Sequence, residues 1–160
     1  MIETKEYPVT AELFEQYSND ILRYAFSILR NTEDAKDVLQ DVFLKYQRSE
    51  ENFRGECSYK SWLFTITRNA CYDRLKARRN KVEIEELKYE PAPEVNLDNL
   101  ITLNSALARL SAEENEIIYL KDFERYTCRE IAGLLGLSIT NTKTKLFRAK
   151  MKLRKMVREK

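Results

Sequence analysis

The apolar positions of the chain recur with a helical period over most of its length. Beginning at Thr10, a three-to-four-residue spacing predicts one long amphipathic helix. Its apolar positions are Leu13, Phe14, Tyr17, Ile21, Leu22, Tyr24, Ala25, Ile28 and Leu29. A second helix is predicted to start near Thr32, a candidate N-cap. Its buried stripe includes Ala35, Val38, Leu39, Val42 and Phe43, and its opposite face is polar and mostly acidic.

A loop precedes a third predicted helix, which Ser58 can cap. The inner stripe of this helix is Trp62, Leu63, Ile66, Ala70 and Leu75. Its outer face and its end carry Lys60, Arg68, Asn69, Arg74, Lys76, Arg78 and Arg79. Aromatic rings interleaved with cations suit single-stranded nucleic acid, because bases stack on rings while cations follow phosphates. We assign Trp62 to the core and take Phe53 and Tyr59 as the base-stacking candidates.

The last third of the chain predicts a helix-turn-helix. Two capping-box patterns mark helix starts. They are Ser111 with Glu114 and Thr127 with Glu130. Gly136 then stands where a tight turn is needed, and Ser138 can cap the next helix. That helix turns Leu146, Ala149 and Leu153 inward, and it presents Asn141, Lys143, Thr144, Lys145, Phe147, Arg148, Lys150 and Lys152.

Composition supports an all-α protein. Only three Gly and three Pro interrupt the chain, and 34% of its residues are charged, which suits long helices better than a sandwich or barrel. We expect two small helical domains, residues 1–81 and 101–160, joined by a flexible acidic linker at 82–100 that contains the stretch "YEPAPE".

Charge alternates along the chain beneath a formal net charge of +2. Counting Lys and Arg against Asp and Glu gives 6 − 11 = −5 for residues 1–51 and 8 − 2 = +6 for 52–81. The same count gives 1 − 6 = −5 for 82–100 and 13 − 7 = +6 for 101–160. Two separate basic segments indicate two surfaces that face a polyanion. Acids are absent from the final helix, where they would repel DNA phosphates.

Several other kinds of protein are not supported. No apolar stretch reaches the roughly 18 to 20 residues that span a bilayer, and the start lacks the pattern of a signal peptide. We therefore expect a cytoplasmic protein without membrane insertion. Cys57, Cys71 and Cys128 are widely spaced and the chain has no His, so we expect reduced thiols, no metal and no cofactor.

Three stretches together resemble the extracytoplasmic-function (ECF) sigma factors of bacteria, which have the second and fourth sigma domains only. They are "NTEDAKDVLQDVFLKY", "FRGECSYKSWLFTITRNACYDRLKARR" and "ALARLSAEENEIIYLKDFERYTCREIAGLLGLSITNTKTKLFRAKMKLR". The resemblance covers nearly the whole chain in order. It implies a non-enzymatic subunit that directs core RNA polymerase to promoters.

The resemblance also implies partners and site residues. The clamp helices of the polymerase β′ subunit would take the helix face formed by Asp34, Asp37, Gln40, Asp41 and Phe43, and the β flap would also bind the protein. The -10 element would be captured and opened by Phe53, Arg54, Gly55 and Asn69, joined by Tyr59, Lys60, Arg74 and Arg78 of the basic segment. The -35 element would be read by Asn141, Lys143, Thr144, Lys145, Phe147 and Arg148. An anti-sigma factor would sequester the protein, and a membrane-linked one would hold it at the inner membrane face.

Departures from the family pattern affect three residues. Asn141 and Thr142 stand where Thr and Val are usual, so a hydroxyl occupies a normally buried aliphatic position. A different setting of the helix would follow, and Asn141 is a candidate reader of an adenine edge. Cys57 stands in a loop where small residues are common, which suggests either a packed side chain or a redox-sensitive one.

Three other functions remain open from the sequence. An autonomous helix-turn-helix regulator would bind duplex DNA without polymerase, but would leave the basic aromatic segment unexplained. A nucleic-acid-processing enzyme would need a convergent acidic metal site, whereas the acids are dispersed. An interaction protein could retain the polymerase contact without initiating transcription, and its activity would survive mutation of the recognition helix.

Overall fold

The computed structural model describes residues 10–49, 58–82 and 98–158, and within these ranges the regular structure is entirely helical. The helices are α1 (Thr10–Leu29), α2 (Thr32–Ser49), α3 (Tyr59–Val82), α4 (Asp98–Arg109), α5 (Ala112–Ile118), α6 (Cys128–Leu135) and α7 (Ile139–Arg158). A π-helical segment, Tyr119–Phe123, continues α5. The all-α prediction is confirmed. The predicted linker lies outside the described residues, except for its ends in α3 and α4.

Helices α1, α2 and α3 pack against one another as the first bundle. The predicted stripes supply its buried side chains, among them Ile21, Ala25, Ile28, Ala35, Val38, Val42, Leu63 and Ala70. Trp62 is half-buried and packs against this core, in agreement with its assignment. Phe43 is half-buried instead of fully buried.

Local hydrogen bonds fix the helix starts, and two of the predicted caps need correction. The cap of α2 is Asn31 and not Thr32, because the Asn31 side chain accepts from the backbone N–H of Asp34 at 2.9 Å. Ser111 does accept from the Glu114 N–H at 3.1 Å, but the Glu114 carboxylate is engaged by a lysine of α7 instead of closing a capping box. The Thr127–Glu130 capping box and the Ser138 cap are both present, as predicted.

The turn between α6 and α7 has the predicted helix-turn-helix form. Gly136 ends α6 in the left-handed region at φ 69°, and Ile131 and Ala132 are buried beneath α7. Thr142 is fully buried, yet its hydroxyl donates to the Ser138 carbonyl at 2.9 Å. The helix therefore accommodates this hydroxyl within its own backbone, and a different helix setting is not required to satisfy it.

The two glycines of this region should respond oppositely to alanine. Gly136→Ala is expected to lower the free energy of unfolding by about 1–2 kcal/mol, because a Cβ is strained at positive φ. Gly133→Ala is the matched control: it lies inside α6, with open space where the added Cβ would lie. It should raise stability by about 0.5–1 kcal/mol. Urea unfolding of each variant measures both changes, and destabilisation by both substitutions would contradict this account.

Helices α4 to α7 form the second bundle, which packs directly on the first, mainly through α1 against α5. Tyr24 stacks on Phe64 with ring centroids 4.5 Å apart and also on Tyr119 of the π-helical segment at 6.0 Å. Phe64 is fully buried and also meets Tyr126 at 6.2 Å. One continuous core therefore joins two bundles that the sequence predicted as separate compact halves.

Candidate nucleic-acid and polymerase interface

Helix α7 presents an exposed, cationic surface beside the helix-turn-helix. Asn141, Lys143, Thr144, Lys145, Phe147 and Arg148 are all exposed, while Leu146 and Ala149 are buried as predicted. Phe147 has 66% of its surface exposed, which is unusual for so large an apolar ring. This face combines apolar contact area with cations, the combination that base edges and phosphates require.

The cations of α7 divide into two groups. Lys145, Lys150 and Lys152 pair with acids of the same bundle, at 3.4 Å to Glu113, 2.8 Å to Asp122 and 3.2 Å to Glu114, respectively. Among the described residues, Lys143, Arg148, Arg154 and Lys155 have no carboxylate within 4 Å. Lys143 and Arg148 lie in the half of α7 nearer the turn, so these two are the cations best placed to contact a phosphate or a base.

The structure brings together only part of the set predicted for the -10 element. Phe53, Arg54 and Gly55 lie outside the described residues, as does Cys57. Asn69 is exposed on α3. Tyr59 is half-buried and packs against the core, which leaves less of its ring available for stacking on a base. Lys60 lies 2.7 Å from Glu124 and 3.7 Å from Asp20.

Arg74 and Arg78 turn toward α2, where the acidic face was predicted to bind polymerase. Arg74 lies 3.7 Å from Asp34 and 3.5 Å from both Asp37 and Asp41. Arg78 also pairs with Asp34. The two arginines, predicted to contact DNA, thus partly neutralise the acids of α2 that were predicted to contact polymerase. Asp37 and Asp41 nevertheless keep about half of their side-chain surface exposed, at 54% and 48%. Gln40 is exposed beside them.

A buried polar network between the bundles was missed by sequence reasoning. Glu116 of α5 is fully buried, and its carboxylate accepts from the Tyr24 hydroxyl at 2.5 Å and the Tyr72 hydroxyl at 2.9 Å. The Arg68 guanidinium lies 3.0 Å from the same carboxylate and over the Tyr72 ring. Arg68 was placed on the outer face of α3, and this is corrected: its side chain is only 21% exposed.

Electrostatics of this network reflect its burial. Burial raises the pKa of Glu116, and the contacts from Tyr24, Arg68 and Tyr72 offset part of that rise. Burial by itself lowers the pKa of the Lys60 ammonium group. The nearby carboxylates of Glu124 and Asp20 outweigh this effect, so the pKa is raised. Burial, aided by Glu116, raises the pKa of the Cys71 thiol to about 12. Cys71 is therefore protonated at neutral pH, which fits the expected packed, reduced thiol.

The described residues contain neither a metal-binding cluster nor a membrane-spanning helix. No group of three Cys, Asp or Glu side chains in residues 10–49, 58–82 and 98–158 is placed to hold a metal ion. None of the helices in the same part of the chain is long and apolar enough to cross a membrane.

Comparison with known proteins identifies the family. Residues 13–81 match the family described as Sigma-70 region 2, and residues 100–153 match Sigma-70, region 4. The chain is 31% identical to the RNA polymerase sigma factor YlaC of Bacillus subtilis over 90% of this chain and 89% of that protein. The chain belongs to the ECF sigma factors. It directs promoter-specific transcription initiation, as the family resemblance implied.

Further relatives agree with this family. The ECF RNA polymerase sigma factor SigM of Mycobacterium tuberculosis is 30% identical over 91% of this sigma factor and 76% of the relative. Among solved structures, the sigma factor RpoE of Bartonella quintana, in complex with the anti-sigma factor NepR, matches with a TM-score of 0.76 and 26% identity. That match covers 93% of this chain and 96% of RpoE.

Proposed function

We propose that the two bundles divide promoter recognition between them. Residues 1–81 bind core RNA polymerase and capture the -10 element, residues 101–160 read the -35 element, and residues 82–100 connect them. In this proposal the acidic face of α2 docks on the β′ clamp helices, and α7 enters the major groove at the -35 element. The sigma factor itself is not an enzyme, and it acts in the cytoplasm as a subunit of the polymerase.

The observation that carries the proposal is the character of α7. It follows a left-handed Gly136 turn, carries no acid from Ile139 to Arg158, and exposes Lys143, Phe147 and Arg148 together. Cations at this position gain by releasing counterions from DNA, and side chains of the first turns reach base edges. Asn69, exposed on α3, supports strand capture by the first bundle.

An anti-sigma factor is a further partner in this proposal. An apolar groove of about 530 Å³ lies between α1 and the π-helical segment. Its lining includes Leu22, Phe26, Ile118 and Phe123. Basic Arg23 and Arg30 also line it, as does Asp122, whose charge is paired with Lys150. An amphipathic helix with acidic flanks complements such a groove. RpoE of Bartonella quintana, which matches this chain with a TM-score of 0.76, was solved with an anti-sigma factor.

Run-off transcription tests the proposed function. Purified bacterial core polymerase is incubated with a promoter library, with the sigma factor added or omitted, and transcript starts are sequenced. We expect new discrete starts that share two upstream motifs. Starts with no shared upstream motif would count against recognition of two elements. Sequence-specific binding to duplex DNA in the absence of core, without new starts, would favour an autonomous regulator.

A further inference from the structure

Two carboxylates of the second bundle form ion pairs with cations of the first bundle. Glu124 holds Lys60 at 2.7 Å, and Glu116 holds Arg68 at 3.0 Å. Both cations lie on α3, the helix that also carries Asn69. A carboxylate presents the same kind of anionic oxygen acceptor as a phosphate, so a DNA strand and these two acids compete for the same donors.

Promoter geometry requires the two bundles to separate. The -10 and -35 elements lie about 25 base pairs apart by their positions, which is about 85 Å at 3.4 Å per pair. A compact chain of this length has a radius of gyration of about 15 Å and a diameter of about 40 Å. The packed arrangement therefore cannot place α3 and α7 on both elements at once, and the contacts of Glu116 and Glu124 must break.

The chemistry of the interface suits reversible opening. Glu116 has three partners from the first bundle, and all four groups regain water when the bundles part. Because removing such charges from water costs about as much as their attraction returns, a buried ion pair adds little net stability to the packed arrangement. Removing one partner alone would instead leave a buried charge uncompensated.

We propose that the packed arrangement is a self-inhibited state, in which Glu116 and Glu124 occupy the Arg68 and Lys60 side chains that the -10 strand takes after opening. This inference rests on the proposed function of α3. RpoE in its complex with NepR matches 93% of this chain with a TM-score of 0.76. In the present sigma factor, Glu116 and Glu124 supply contacts within the chain that favour the packed arrangement.

Neutralising the two acids tests the inference. The isolated variant Glu116→Gln with Glu124→Gln should show a radius of gyration several ångströms larger than wild type in small-angle X-ray scattering. It should also bind a fluorescein-labelled 20-nucleotide oligodeoxythymidylate about three- to tenfold more tightly in fluorescence anisotropy, since more molecules are binding-competent. Glu124→Gln alone, which leaves the buried Glu116 untouched, should shift both quantities in the same direction by less.

Two controls separate opening from a general change in charge. Glu15→Gln with Glu33→Gln removes the same charge from exposed positions of the first bundle and should change neither quantity beyond a small general effect. Adding Lys60→Gln to the Glu124→Gln variant should cancel its gain in strand binding, whereas Lys60→Gln in the wild type should cost little, because Glu124 already occupies that lysine.

The outcomes are distinct from those of the transcription experiment. An expanded wild type, an unchanged radius in folded variants, or an increased radius without tighter strand binding would each overturn the inference. Promoter-specific starts in run-off transcription would leave the proposed function standing in any of these cases. Conversely, variants that open and bind the strand more tightly, beside a wild type that supports no promoter-specific starts, would retain self-inhibition and refute the proposed function.

Discussion

Lys143→Glu is expected to lower promoter-specific transcription by about 10- to 100-fold. Lys143 is exposed near the start of α7 and has no described carboxylate within 4 Å. Its charge is therefore available to DNA, and an acid in its place both loses that contact and repels the phosphates. Run-off transcription with core polymerase at fixed salt measures the change in transcripts from the selected promoters.

The matched control for this substitution is Lys155→Glu. Lys155 is also exposed on α7, but it lies about three helical turns further along, beyond the residues proposed to reach the -35 element. It should lower transcription by less than about threefold, through general electrostatics only. Equal losses in both variants would indicate that α7 contributes only net charge. Unchanged transcription with Lys143→Glu would contradict major-groove reading by this residue.

Local features of the fold were predictable because they depend on neighbours in sequence. The Thr127–Glu130 capping box, the Ser138 cap and the Gly136 turn all involve groups at most four residues apart. The cap of α2 was misassigned by one residue, because Asn31 and Thr32 are both good cap formers. Such choices depend on backbone angles that residue preference alone does not fix.

Contacts between distant segments were not predictable in the same way. Glu116 and Tyr24 are 92 residues apart, and burial of the consecutive residues Asn115 to Ile118 leaves no helical period to indicate which face is covered. Arg74 appeared as one more cation of a basic segment, although it faces the acids of α2. Periodicity identifies a buried face, but it does not identify what lies against it.

The pairing of Arg74 with α2 bears on how polymerase is bound. Its contacts to Asp37 and Asp41 are both 3.5 Å long and half-exposed, and ion pairs of this kind contribute little to stability. Asp34 is more enclosed, with 19% of its side chain exposed. Asp34 therefore anchors the two arginines, while Asp37 and Asp41 keep about half of their side-chain surface exposed to solvent. A basic surface on core polymerase would compete with Arg74 for these two carboxylates.

Asp37→Asn combined with Asp41→Asn is accordingly expected to weaken binding to core polymerase by about 10- to 100-fold. The asparagines keep the shape of the side chains and remove both charges, so the thermal unfolding midpoint should stay within a few degrees of wild type. Titration of labelled sigma factor with core polymerase measures the affinity. The prediction is limited to binding, since the proposed promoter contacts lie on α3 and α7.

Glu33→Gln is the control for charge, because Glu33 lies on the same helix with 84% of its side chain exposed and pairs only with Lys36 among the described residues. It should change core affinity by less than about threefold. If Asp37→Asn with Asp41→Asn bound core as tightly as wild type, the polymerase contact would have to lie elsewhere. The acids of α2 would then serve to hold Arg74 and Arg78 in place. A matching loss with Glu33→Gln would instead mean that core polymerase senses the overall charge of α2 without contacting particular carboxylates.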